Sequence, residues 1–134
     1  MTINHSLFID TIFKQQASTI VFGLNIKELS GKTLYLVADE MAKDVNTAAK
    51  IKKVYPGPIK IVTKDDIQKA IADKEDVVFL HKVGPEKTKL KARVYKILIG
   101  ASDAQFYYFD YHMLNDTNPD GFLATDFKRL AKKL

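Results

Sequence analysis

The stretch Lys91–Leu114, KARVYKILIGASDAQFYYFDYHML, limits the fold more than any other part of the chain. Two runs rich in β-branched and aromatic residues flank the polar break Gly100-Ala101-Ser102-Asp103-Ala104. Such runs suit pleated, part-buried strands, and small polar residues with glycine suit a reversal. The pattern predicts a β-hairpin with a loop of about five residues, around which the upstream chain packs.

Upstream, Leu7–Ala17 has helical spacing, with Ile9, Phe13 and Ala17 at i, i+4 and i+8 beside Phe8 and Ile12. Thr19–Leu24 reads as an edge strand or an extended lead-in, and Asn25–Leu29 as one helical turn. Thr33–Ala38 is a strand apolar on both faces, as expected where helices cover each side. Asp39 is placed to cap a helix carrying Met41, Val45, Ala48 and Tyr55 on one stripe, stopped by Pro56-Gly57-Pro58. Ile59–Val62 is a second strand, and Thr63 caps a helix with Asp65 and Asp66 in its first turn. Val77–Leu80 is the third strand, and Gly84-Pro85-Glu86-Lys87 turns into the hairpin. A polar loop, Asn115–Gly121, leads to a last helix with Leu123, Phe127, Leu130 and Leu134 on one face.

This order predicts an α/β fold in three layers, α/β/α, formed as one domain over residues 1–134. Residues 1–30 supply an N-terminal helix and lead-in, and residues 31–134 the sheet core. Right-handed crossovers give a mixed five-stranded sheet of order 2-1-3-4-5, with strand 4 antiparallel and helices on both faces. From Gly31 to Leu134 the arrangement resembles the anticodon-binding-like fold, as in the N-terminal domain of TolB and related bacterial envelope proteins. The resemblance rests on element order and matches no residue motif, so it carries over no functional residues. It implies the fold and non-catalytic binding of macromolecules.

Composition narrows the chemistry. The absence of cysteine excludes disulfides, cysteine-ligated zinc and thiol catalysis. No phosphate loop, dinucleotide fingerprint, nucleophile elbow or HExxH is present, so no cofactor is implied. No apolar run approaches the ~20 residues of a membrane helix. The N-terminus lacks the basic and apolar regions of a secretory signal, which suggests the cytoplasm unless a leader has been removed.

The net charge of +5 has one source. Lys82, Lys87, Lys89, Lys91, Arg93 and Lys96 stand against Glu86 alone, and the rest of the chain carries 15 residues of each sign. In an extended segment Lys87, Lys89, Lys91 and Arg93 share a face, with Tyr95, Ile97 and Ile99 continuing its parity. Two readings follow. Lys82, Lys87, Lys89, Lys91 and Arg93 form a phosphate-contacting patch for nucleic acid or another polyanion, or they are solvated lysines that protect a strand from edge pairing.

The aromatic run Phe106, Tyr107, Tyr108, Phe109 and Tyr111 either stacks on bases or sugars or fills a covered sheet–helix interface. The sequence favours core packing on both faces. His81, Asp110 and His112 form the one route to a metal-dependent or hydrolytic enzyme. The two histidines fall at the ends of parallel strands two spacings apart, about 9.5 Å, too far for easy co-ligation. Asp116, Asn118 and Asp120 match the first half of a calcium loop, but Phe127 stands where the bidentate glutamate belongs. An Asx-Pro turn with Asn118 capping the last helix accounts for the same residues. The sequence thus favours a non-catalytic interaction domain with a protein partner. Polyanion binding through residues 82–93 is the alternative, and an enzyme around His81 and His112 comes third.

Overall fold

The computed structural model describes residues 20–87 and 92–134, with the backbone alone at 86 and 87. The helix expected over Leu7–Ala17 lies outside these residues, as do Lys89 and Lys91. Six strands form one mixed sheet: β1 (Val21–Phe22), β2 (Thr33–Leu36), β3 (Ile59–Ile61), β4 (Val77–Lys87), β5 (Ala92–Gly100) and β6 (Phe106–Met113). Their order is β1-β6-β5-β4-β2-β3. Strand β2 runs parallel to β3 and β4, and the β4–β5, β5–β6 and β6–β1 pairs are antiparallel.

Five of these strands keep the expected neighbours, with the hairpin extending the sheet from β4 and its first strand antiparallel to β4. The strand count does not hold. The short β1 adds a sixth strand beside β6, with Val21 opposite Phe109 and Phe22 opposite Tyr108. Its close approach explains Gly23, where a Cβ would lie 2.2 Å from the Phe106 carbonyl oxygen. The third strand also runs seven residues beyond Leu80. The Gly84-Pro85 step does not turn the chain. Pairing with β5 shifts register between Val83 and Glu86 and then resumes with Glu86 opposite Arg93. Strands β4 and β5 therefore extend together as a ribbon.

The helix expected after β2 is mostly replaced. Short 3₁₀ turns occupy Ala38–Glu40 and Lys43–Val45, and α1 spans only Ala48–Lys52. Helix nucleation is costly and a tertiary tie takes precedence here. Met41 forms a parallel bridge to Phe122, with Phe122 N donating to Glu40 O at 2.9 Å and Ala42 N to Phe122 O at 3.0 Å. Helix α2 (Lys64–Ala72) starts as expected: Thr63 Oγ1 accepts from Asp66 N, and Asp66 Oδ2 accepts from Thr63 N. Helix α3 (Ala124–Ala131) starts later than the Asn118-Pro119 step, with Asp126 Oδ2 accepting from Leu123 N at 2.8 Å.

Two apolar clusters lie on opposite faces of the sheet. On one, Leu34, Leu36, Val78, Leu80, Leu98 and Tyr108 meet Ile51 and Tyr55 from the α1 segment and Phe127 and Leu130 from α3. On the other, Val37, Phe79 and Ala101 meet Ile67 and Ala70 of α2. The second cluster is the smaller, because α2 covers only the β2–β4 half of its face.

Candidate functional site

Strand β5 shows what that half-cover leaves. Val94, Lys96 and Leu98 point into the larger core and are fully buried. Arg93, Tyr95, Ile97 and Ile99 point to the other face; Arg93 is exposed and the other three are half-buried. A strand alternates its side chains, so this pattern marks one fully buried face and one part-exposed face. Pairing extends the open face sideways: His81 is opposite Ile97, Ile97 opposite Phe109, and Tyr95 opposite Tyr111. Beyond Ile99 lies Phe106, 42% exposed, and on the ribbon lies Val83, 41% exposed.

The rings on this face contact each other. Tyr95 stacks on Phe109 with centroids 6.4 Å apart and meets Tyr111 at 5.7 Å. The Arg93 guanidinium lies 5.8 Å from the Tyr111 centroid, within cation–π range. Beside them, between α2 and β4–β5, runs a groove of about 470 Å³. Ile67, Ile71, Phe79 and Ile99 form its apolar part, and Glu40, Lys64, Gln68, His81 and Lys82 its polar part. Among the described residues, no helix covers Tyr95, Ile97, Phe109 or Tyr111.

The opposite face of the same strands holds a buried ionic cluster. Lys96 Nζ lies 2.6 Å from Asp126 Oδ2 and 3.7 Å from Asp110 Oδ2, with neither the lysine nor Asp126 exposed. Tyr108 donates to Asp126, and Arg129 reaches Asp110 Oδ2 at 3.0 Å and Asp126 Oδ1 at 3.5 Å. Two cations thus face two carboxylates, and the cluster joins β5, β6 and α3. Burial and the adjacent Asp126 charge push the Tyr108 phenol well above its ordinary pKa. The cluster has no opening to a substrate at Lys96, Tyr108 or Asp126, each fully buried. It ties the helix to the sheet.

No family model and no curated protein matches the chain. Among solved structures, it is similar to the PelC dodecamer from Paraburkholderia phytofirmans. A single-substitution variant of that protein aligns over 85% of this chain and 91% of its own, at 14% identity and a TM-score of 0.40. A second PelC structure aligns over the same shares, at 13% identity and a TM-score of 0.39.

The structure separates the residues of the expected enzyme site. His81 lies on the open face with Ile97, whereas His112 pairs with Val94 and points to the opposite face. Two histidines on opposite faces of one sheet cannot share a metal or a substrate. Asp110 instead belongs to the ionic cluster. His112 Nε2 donates to the Pro119 carbonyl at 2.7 Å, while its Nδ1 is buried without a hydrogen-bond partner. Burial, then the Lys96 charge, holds the imidazole below its ordinary pKa.

The basic residues are also divided. Lys82 is paired with Asp120 at 3.0 Å, Arg93 lies over Tyr111, and Lys96 is in the core. In the loop after β6, Asn115 Oδ1 accepts from Thr117 N at 2.9 Å and Asn118 N at 2.7 Å. That Asx turn, together with the Lys82–Asp120 pair, organises the segment containing Asp116, Asn118 and Asp120. The aromatic run divides between the faces: Tyr107 and Tyr108 are buried, whereas Phe106 is exposed and Phe109 and Tyr111 half-exposed. The expected core packing is met in full by Tyr107 and Tyr108 and in part by Phe109 and Tyr111, and Phe106 departs from it. Lys96 was the readable clue to the ionic cluster: a cation at the parity of Val94 and Leu98 requires a buried carboxylate partner.

Proposed function

We propose that this chain is a non-catalytic interaction module that binds a protein partner through the open face of β5 and β6. The part-exposed rings and branched side chains of Tyr95, Ile97, Phe109 and Tyr111, which no helix among the described residues covers, carry this reading. An apolar sheet face needs a second layer, and uncovered apolar patches of this kind mark interaction sites. The composition suits a protein interface, where tyrosine, phenylalanine and arginine supply the energetic centre. The charge-balanced, closed cluster around Lys96 supports a structural use of the ionisable residues.

Two adjacent substitutions test the reading. Leu98→Glu places a charge in the core and is expected to prevent folding, since an unpaired buried charge costs several kcal/mol. Ile97→Glu, one residue away on the open face, is expected to leave Tm within about 4 °C of the parent, a change of ~1 kcal/mol. Equal loss in both would show that the chain packs this face itself, and would overturn the reading.

A further inference from the structure

We infer that the groove between α2 and β4 binds a free apolar α-amino acid, its ammonium on Glu40, its carboxylate on Lys64 and its side chain among Ile67, Ile71, Phe79 and Ile99. This site is separate from the protein interface proposed above and does not depend on it. Topology places it. Strands β3, β2 and β4 are adjacent and parallel, and the chain leaves β2 on the α1 face but returns to β4 through α2 on the other. The winding therefore changes direction between β2 and β4. In open α/β sheets, ligands sit in the crevice outside the carboxyl ends of the strands at such a point. Glu40 follows the end of β2, Lys64 follows the end of β3, and His81 stands two residues past Phe79, the last residue of β4 paired with β2. All three line the groove, whose volume of about 470 Å³ falls in the usual range for small-molecule sites.

The lining separates a charged mouth from an apolar floor. Lys64, Ile67, Gln68 and Ile71 stand at i, i+3, i+4 and i+7, so one stripe of α2 faces the groove. A crossover helix runs opposite to the parallel strands it joins, which sets Lys64 at their carboxyl end, with Glu40 and His81, and Ile71 further in. Phe79 pairs with Ile99 across β4 and β5, and both belong to the cluster under α2. Ile67 and Phe79 are buried, whereas Ile71 is 38% exposed, so the floor keeps an apolar wall to cover. Lys82 adds no free cation, because its Nζ is held by Asp120 at 3.0 Å. Among the described residues, the side chains of Glu40, Lys64, Gln68 and His81 make no hydrogen bond or ion pair. One acid and one cation at the mouth select a head carrying both charges, since an acid alone meets Glu40, and an amine alone meets Lys64, as like charge. Gln68 and His81 offer the head further hydrogen bonds, and a branched apolar side chain fills the floor.

The test titrates the full chain, methyl-labelled at isoleucine, with three compounds: L-leucine, isocaproate, which lacks the ammonium, and isoamylamine, which lacks the carboxylate. The expected result is a saturable shift of the Ile67, Ile71 and Ile99 methyl signals with leucine, while Ile51 in the opposite core stays fixed. Each truncated compound should bind at least ~10-fold more weakly, about 1.4 kcal/mol. Glu40→Gln should erase the preference for leucine over the acid, and Lys64→Met the preference over the amine. Ile71→Glu, at a part-exposed position, should abolish binding and leave the far-ultraviolet circular dichroism unchanged. If that variant unfolds, Glu40→Gln and Lys64→Met decide, since neither side chain holds the fold together. The absence of a saturable shift with leucine, equal affinity for the three compounds, or tighter binding of the acid or the amine would overturn the inference. So would leucine binding indifferent to Glu40→Gln and Lys64→Met.

Discussion

Lys96→Met is the most informative perturbation of the fold. The methionine is nearly as long, so it fills the lysine's volume without its charge and leaves two carboxylates facing one remaining cation, Arg129. Removing one partner of a buried ion pair typically costs about 3–5 kcal/mol, because the other charge stays desolvated. The lower end applies here. Asp126 keeps the Leu123 N–H, the Tyr108 hydroxyl and the Arg129 guanidinium, so its charge remains partly met. The expected loss is therefore about 3 kcal/mol, or roughly 10–15 °C in Tm for a chain between the usual small and medium size classes. Lys82→Met provides the control: its pair with a half-exposed Asp120 is of the surface class, worth about 0.2–1 kcal/mol. Urea denaturation followed by circular dichroism measures both. A Lys96→Met loss below ~1 kcal/mol, equal to the control, would refute the idea that this cluster holds α3 to the sheet.

Other predictions follow from single side chains. Tyr55 is fully buried with its hydroxyl unpartnered and its pKa raised by burial to about 12. Tyr55→Phe is therefore expected to be neutral or to stabilise by up to ~1 kcal/mol, and a loss above that would reveal an unseen partner. His112 is held below its ordinary pKa of 6.5, so the unfolded chain binds its proton first. Its contribution to stability is complete above pH 6.5 and fades as the pH falls below that value. Chemical denaturation across this window should show a shallower slope in His112→Gln, whose amide can still donate to Pro119, and an unchanged slope would contradict the assignment. Gly121 has φ +107°, and a Cβ there would lie 2.7 Å from the Met41 carbonyl carbon. Gly121→Ala should cost more than ~1 kcal/mol by combining an unfavourable backbone with a clash, and a variant as stable as its parent would count against the Met41–Phe122 bridge.

Much of the sheet was legible because its signals are local. The β-branched and aromatic runs define β5 and β6, the Pro56-Gly57-Pro58 break sets β3 apart from the segment before it, and the Thr63-capped helix separates β3 from β4. The parts that escaped depend on distant partners. Thr19–Leu24 reads as either an edge strand or a lead-in, and pairing with β6 decides for the strand at Val21 and Phe22; Met41 leaves its expected helix to bridge to Phe122. The ribbon beyond Leu80 was hidden because Gly84-Pro85 has the composition of a turn, and only pairing with β5 keeps it extended. The open face was hidden for another reason. Tyr95, Ile97, Phe109 and Tyr111 are as apolar as covered residues, so composition could not show that α2 stops short of them. Lys96 adds to the basic charge of the 82–96 stretch, although its parity with Val94 and Leu98 places it inside.

The most direct measurement of the central claim compares solvent access at two neighbouring residues. A soluble paramagnetic probe added to the methyl-labelled full chain should broaden the Ile97 methyl signals strongly and leave those of Leu98 sharp. Equal protection at both positions would mean that the β5–β6 face is closed in the chain itself, and the docking surface would not exist.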